Sequence, residues 1–146
     1  NNVIDVLGRF LNMGDEPYQL VSALKGVLAQ RLVRKICEHC KRTAVITRQM
    51  LEESRLDPNL ADSHPFFEGA GCIECGGTGF KGRTAICELM DLSDRIRDMI
   101  LERRPTSEIK RAARDEGMRF LRECAVVRVM DGDTTLREIN KVTFVE

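Results

Sequence analysis

Val3, Leu7, Phe10 and Leu11 fall at i, i+4, i+7 and i+8, one apolar stripe of an amphipathic helix, and Gly14 marks its end. Asp15-Glu-Pro17 has the form of a new helix start, with proline early and acids near the positive end of the dipole. Leu20, Leu24, Val27 and Leu28 continue that second stripe. From Arg31 to Ile36 the pattern shortens and partly alternates, which predicts a strand. Thr43 to Gly71 is polar and interrupted by proline, with a short helical candidate near Gln49 to Ser54. His64-Pro65 and Gly69-Ala-Gly71 mark loop. Gly82 to Met90 alternates Thr84, Ile86, Glu88 and Met90 with Ala85, Cys87 and Leu89, a second strand. Pairing the two strands brings Cys37 and Cys72 to one end of a ribbon.

The last third predicts helices. Ser93 caps a segment bearing Ile96, Met99 and Ile100. Thr106, after Pro105, opens one with Ile109, Ala112 and Ala113, closed by Gly117. Leu121, Cys124, Ala125 and Val129 line another that ends at Gly132, and Thr135 with Glu138 has capping-box spacing for a short final helix. The resulting expectation is an α+β fold, mostly helical. Two amino-terminal helices precede a small antiparallel ribbon, and about four helices cluster at the carboxy terminus. Residues 1–36 form the opening segment, 37–81 a cysteine-bearing region, and 82–146 a strand with the helical cluster.

Composition narrows the function. The 146 residues carry 23 Lys plus Arg against 23 Asp plus Glu, so no net field draws nucleic acid or an anionic membrane. There is no Trp and one Tyr, a poor supply for base stacking. No apolar run approaches the length of a membrane span, and no secretory signal pattern is present. The chain opens with Asn1-Asn2 rather than Met, as expected of a fragment.

Four of the six cysteines form two Cys-x-x-Cys pairs, Cys37-Glu-His-Cys40 and Cys72-Ile-Glu-Cys75, separated by 31 residues. Two-residue spacing lets both sulfurs of a knuckle face one ion, and two knuckles complete a tetrahedron. Four thiolates leave no position for water, so the expected role of a Zn2+ ion held by Cys37, Cys40, Cys72 and Cys75 is structural. Closing the 31-residue loop costs entropy that few apolar side chains offset, which an ion would compensate. Gly76, Gly77 and Gly79 suit backbone amides that turn toward sulfur. His39 lies inside its knuckle and is expected to face solvent. Cys87 and Cys124 are expected to be small buried hydrophobes.

Gly77-Thr-Gly79-Phe-Lys-Gly82 fits G-x-G-x-x-G, yet it precedes a strand where a dinucleotide site must open a helix. No phosphate-cradling P-loop motif and no catalytic triad or carboxylate pair is identifiable, so catalytic residues are none and cofactor-binding residues are none. Two alternatives stand beside a metal-clamped lobe. One is a free-standing zinc-stabilised interaction module: Cys72 to Gly79 resembles one Cys-x-x-Cys-x-Gly-x-Gly unit of the DnaJ-type zinc domain, which carries four. The other is a zinc-ribbon nucleic-acid binder, disfavoured by the neutral charge.

Five segments together resemble the carboxy-terminal part of the GspE/PilB secretion ATPases. They are Leu11-Asn-Met-Gly14-Asp-Glu-Pro17-Tyr, Ala29 through Cys40, Gly71 through Leu89, Glu116-Gly-Met-Arg-Phe-Leu-Arg122 and Thr134 through Thr143. That resemblance implies a piece of a hexameric motor of type II secretion or type IV pilus assembly. Its neighbouring subunits and inner-membrane platform proteins would be the partners, and its location cytoplasmic and peripheral at the inner membrane. The family's four-cysteine zinc site carries over to Cys37, Cys40, Cys72 and Cys75. ATP and Mg2+ belong to the parent alone, because the Walker A and Walker B boxes are missing from these residues, and the chain by itself is predicted inactive. Asp94-Arg-Ile-Arg-Asp-Met-Ile100 resembles the Ala-Ile-Arg box of related retraction motors, although those residues alone read more readily as an ordinary helix with a solvated Arg97. Arg31 and Arg34 flank the first strand, where a solvated face competes with contact to a nucleotide.

Overall fold

The computed structural model describes residues 2–12 and 21–143. The elements are α1 (Val3–Asn12), β1 (Gly26–Ile36), β2 (Lys41–Ala44), α2 (Arg48–Glu53), α3 (Leu60–Ser63), β3 (Phe66–Gly69), β4 (Phe80–Asp91), α4 (Asp94–Leu101), α5 (Thr106–Asp115), α6 (Leu121–Met130) and α7 (Leu136–Val142). The fold is α+β. β1 pairs with β4 as expected, and β2 pairs with β3 in a second two-stranded sheet. The Leu92 amide donates to the Lys25 carbonyl at one end of the first pair, and Cys37 donates to Gly79 at the other, so β1 and β4 run antiparallel.

Several sequence expectations need correction. Val27 and Leu28 belong to β1, not to a second helix; residues 21–23 are helical, and Gly14, Asp15 to Pro17 and Leu20 lie outside the described residues. Residues 26–36 satisfy both periods locally, and strand pairing decides between them. The Thr43–Gly71 stretch contains α2 near the expected place, but also α3 and β3, which pairs with β2 at Lys41–Ala44; Gly69, expected in a loop, is the last residue of β3.

The chain divides into two compact units. The first comprises residues 1–30 and 87–121. Its core gathers Val3 and Leu7 of α1, Met90 of β4, Ile96 and Ile100 of α4, and Ile109, Ala112 and Ala113 of α5. α1 and α4 pack on α5. Ser93 caps α4 through its side chain, which accepts from the Ile96 amide. The buried face of β4 carries one carboxylate, Glu88, 2% exposed. Its Oε1 accepts the amide of Val3, the first residue of α1, and its Oε2 that of Leu121, the first of α6, both at 2.6 Å. One acid thus caps two helix starts, where positive dipole ends and unmet N–H groups coincide. Arg97 is not the solvated side chain expected of it. Its Nε donates to the Leu92 carbonyl and Nη2 to that of Leu24, each at 2.8 Å, and Nη1 donates to Val21.

The second unit comprises residues 31–86 and 122–146. Val33, Ile36, Leu51, Phe66, Ala125, Val129, Leu136 and Ile139 are buried there. Arg42 and Glu68 face each other across the β2–β3 pair and approach to 3.5 Å. The residues after α2 are tied down: the Ser54 carbonyl accepts from Arg122 Nη2 at 2.7 Å, and the Ser54 hydroxyl accepts from Asn140 Nδ2 at 3.0 Å. Thr135 caps α7 by accepting from the Glu138 amide. The expected reciprocal half of the capping box is diverted, because the Glu138 carboxylate accepts from the Arg34 amide and from Arg34 Nη2, the latter at 2.7 Å. The Arg34 guanidinium also lies 4.2 Å from the Phe80 ring centroid.

Candidate metal centre

Each cysteine of the two pairs stands at a junction between a strand and a tight turn. Cys37 follows the end of β1, Cys40 precedes β2, Cys72 follows β3 and Cys75 leads toward β4. In the first knuckle the Cys40 amide donates to the Cys37 carbonyl. In the second, Gly76 donates to Ile73 and Gly77 to Cys72. Two further bonds lock the knuckles together: Ala70 N to the Cys40 carbonyl at 3.0 Å and Cys37 N to the Gly79 carbonyl at 2.9 Å.

Gly79 has φ +81, and a Cβ there would lie 2.5 Å from the Gly69 carbonyl oxygen. Only glycine permits both the left-handed backbone and that approach. Gly77 and Gly79 therefore serve the turn, and Phe80 opens a strand directly after them, so G-x-G-x-x-G does not open a helix here.

The four sulfurs of Cys37, Cys40, Cys72 and Cys75 all lie within 4.8 Å of one another. The Cys37–Cys72 sulfur separation is 3.8 Å, Cys40–Cys75 is 3.9 Å and Cys72–Cys75 is 3.7 Å. A tetrahedron with metal–sulfur bonds of about 2.3 Å has edges of about 3.8 Å. The donor set thus fits a four-thiolate metal site, and none of the separations is that of a disulfide. Amides point at the sulfurs: Gly71 N to Cys40 Sγ at 3.3 Å, and Cys72 N and Gly79 N to Cys75 Sγ at 3.3 and 3.1 Å. Such donors stabilise thiolate.

The two partner thiols respond in opposite directions. Desolvation drives the Cys40 thiol up to about 11, with neighbouring thiols reinforcing the rise against the Gly71 amide. Desolvation also opposes ionisation of Cys75, but the Cys72 and Gly79 amides, helped by the Cys72 and Cys40 thiols, outweigh it and bring Cys75 down to about 6.

His39 is exposed, as expected. Cys87 and Cys124 are not the buried hydrophobes that the sequence suggested: Cys87 is exposed and Cys124 half-buried. β4 turns Ile86, Glu88 and Met90 inward, which places Cys87 and Leu89 on the outer face. Sequence reasoning missed Glu88, since a charged residue on a core-facing position carries no hydrophobic signal. Arg34 is committed to Glu138 and Phe80, and Arg97 to backbone carbonyls. Among the described residues no helix is long and apolar enough to cross a membrane.

Residues 1–141 match the protein family described as Type II/IV secretion system protein. The type IV pilus assembly ATPase PilB of Thermus thermophilus is 41% identical over 95% of this chain, which corresponds to 16% of that protein. The type II secretion system protein HxcR of Pseudomonas aeruginosa is 36% identical over 98% of the chain and 26% of its own length. Type II secretion system protein E of Aeromonas hydrophila is 36% identical, again over 98% of the chain and 28% of its own length. The chain therefore spans about a sixth to just over a quarter of these relatives. On this match, which runs through both cysteine knuckles, the chain belongs to the type II/IV secretion system protein family.

Proposed function

We propose that these residues form the carboxy-terminal, zinc-binding portion of a secretion or pilus-assembly motor. Family membership supports the motor, and the convergence of four sulfurs within 4.8 Å of one another carries the metal assignment. Cys37, Cys40, Cys72 and Cys75 would hold one Zn2+ ion as thiolates. With four sulfur ligands the ion supplies cohesion between the knuckles and no Lewis-acid catalysis. The chain's own contribution is positional: amides of Gly71, Cys72 and Gly79 stabilise the thiolates, and the glycine turn sets the second knuckle against β3.

In this reading the domain is non-catalytic. ATP is bound and cleaved by other residues of the parent, and this portion couples those rearrangements to neighbouring subunits of a homohexamer and to inner-membrane platform proteins. Arg34 and Arg97, spent on internal bonds, serve the fold in that arrangement. Elemental analysis tests the metal: about one zinc per chain is expected, with loss on Cys37→Ser or Cys72→Ser. A folded protein that retains four free thiols in the presence of micromolar zinc would overturn it. The motor is tested in a longer chain that contains a P-loop. Nucleotide turnover that persists while secretion or pilus assembly fails in Cys37→Ser is the expected result, and unchanged assembly in that variant removes the coupling role.

A further inference from the structure

Backbone N–H and C=O groups of a strand point alternately to its two edges, so pairing on one side leaves every second residue to be met on the other. At the end of β1, Cys37 donates its amide to Gly79 on the β4 side. Arg34 and Ile36 have the opposite parity, and the corner between α6 and α7 meets them. The Arg34 carbonyl accepts the Thr134 hydroxyl at 2.7 Å, and the Ile36 amide donates to the Asp133 carbonyl at 2.9 Å. The Arg34 amide donates to the Glu138 carboxylate at 3.2 Å. The corner thus takes the place a third strand would have, and its last bond falls one residue before Cys37.

The same corner reaches the far side of that knuckle. A Cβ on Gly132 would stand 3.0 Å from Lys41 Nζ and 3.0 Å from Phe67 Cδ2, so the turn lies against the residue that follows Cys40 and against β3. His64 Nε2 donates to the Met130 carbonyl at 2.9 Å, which holds the chain just before it enters β3. From the helix side, the Gly132 and Asp133 amides close the last turn of α6 onto the Val129 and Arg128 carbonyls. Thr134 follows that closed turn and is 1% exposed.

We infer that Thr134 is a positioning residue for the metal centre. Through the α6–α7 corner it fixes the end of β1, and with it the direction in which Cys37 presents its sulfur. The inference rests on the metal reading above. Cys37 is the buried member of the four, so a displaced backbone leaves its sulfur the least room to recover an ion. Linkage makes the effect reciprocal: a corner that sets metal affinity is itself steadied by bound metal.

The experiment uses the full-length protein, stripped of metal and titrated with Co2+, then with Zn2+ against a chromophoric chelator. Thr134→Val removes the hydroxyl at nearly constant shape. It is expected to weaken Zn2+ binding about tenfold and to shift the cobalt–thiolate bands, and Thr134→Ser, which keeps the hydroxyl, should restore both. Ile109→Val, in the core of the first unit, is a destabilised control whose affinity and bands should match wild type. Should Thr134→Val fail to fold, hydrogen exchange on wild type decides: Zn2+ is expected to slow the Gly132 and Asp133 amides, which are distant in sequence from all four ligands. Wild-type affinity in Thr134→Val, equal losses in Thr134→Ser or Ile109→Val, or Gly132 and Asp133 amides indifferent to Zn2+ overturn the inference alone. Wild type that binds neither Co2+ nor Zn2+ overturns the metal reading and this inference with it.

Discussion

Gly69 and Gly79 meet backbone to backbone where β3 gives way to the second cysteine knuckle, and a Cβ on either would overlap the carbonyl of the other. Flexible side chains could yield to such an overlap; two carbonyls fixed by strand pairing and by the Cys37–Gly79 bond cannot. Gly69→Ala and Gly79→Ala are each expected to cost about 2 kcal/mol or more in a urea melt and to weaken metal retention against a chelator. Gly76→Ala, with open space around its Cβ position, should suffer only from its φ of +65 and cost about 1 kcal/mol.

The Glu138 carboxyl is held at about 2, from an ordinary value near 4.5, chiefly by its bond to Arg34, against desolvation and with help from Lys141 and the Arg34 amide. A carboxyl with a depressed folded-state pKa stabilises the fold above its unfolded value and loses that contribution as pH falls. The contribution is therefore intact above about pH 5 and disappears toward pH 2. Arg34 is 47% exposed, so solvent screening reduces the worth of the pair to about 1–2 kcal/mol. Urea unfolding of wild type and Glu138→Gln at pH 7 should differ by that amount. The gap should close between pH 4 and pH 2, and a constant gap would refute the ion-pair account.

The unequal thiols give a chemical readout. In metal-free protein at pH 7, Cys75 is largely thiolate and Cys40 is not, so iodoacetamide should alkylate Cys75 well ahead of Cys40. Adding one equivalent of zinc should protect Cys37, Cys40, Cys72 and Cys75 together while Cys87 stays reactive, as peptide mass spectrometry would record.

Glu88 caps two helices at once, and its removal strands two buried amides. Glu88→Ala is expected to cost about 2–4 kcal/mol, since each orphaned donor forfeits its desolvation cost. Glu88→Gln, which keeps an acceptor for one amide, should cost about half as much. Amide exchange would localise the loss: Val3 and Leu121 should lose protection before the centre of α5 does.

The cysteine cluster was legible because chemistry fixed the spacing of the residues, and four thiols in two knuckles leave few arrangements. The starts of α4, α5 and α7 were legible: Ser93 and Thr135 cap α4 and α7 as expected, and α5 opens at Thr106 directly after Pro105, while α6 was legible from its apolar stripe. The hairpin was not. Lys41–Ala44 and Phe66–Gly69 have four residues each and no clear alternation of buried and exposed positions, so their pairing reflects the company they keep rather than any local period. The inward face of β4 was hidden for a different reason. Ile86, Glu88 and Met90 share it, and only the two waiting helix amides explain why the acid is inside. Arg97 looked solvated because nothing in a sequence announces three free carbonyls.

The β2–β3 hairpin sets Lys41 opposite Gly69, which leaves residues 40 and 70–72 already side by side. A finger peptide that folds only around its ion must gather its ligands at the moment of capture. Here the hydrogen-bonded backbone of the hairpin shares in that gathering, so a cation held as proposed above would owe part of its affinity to residues that never touch it. Weakening the β2–β3 pairing would then loosen the ion without altering a ligand.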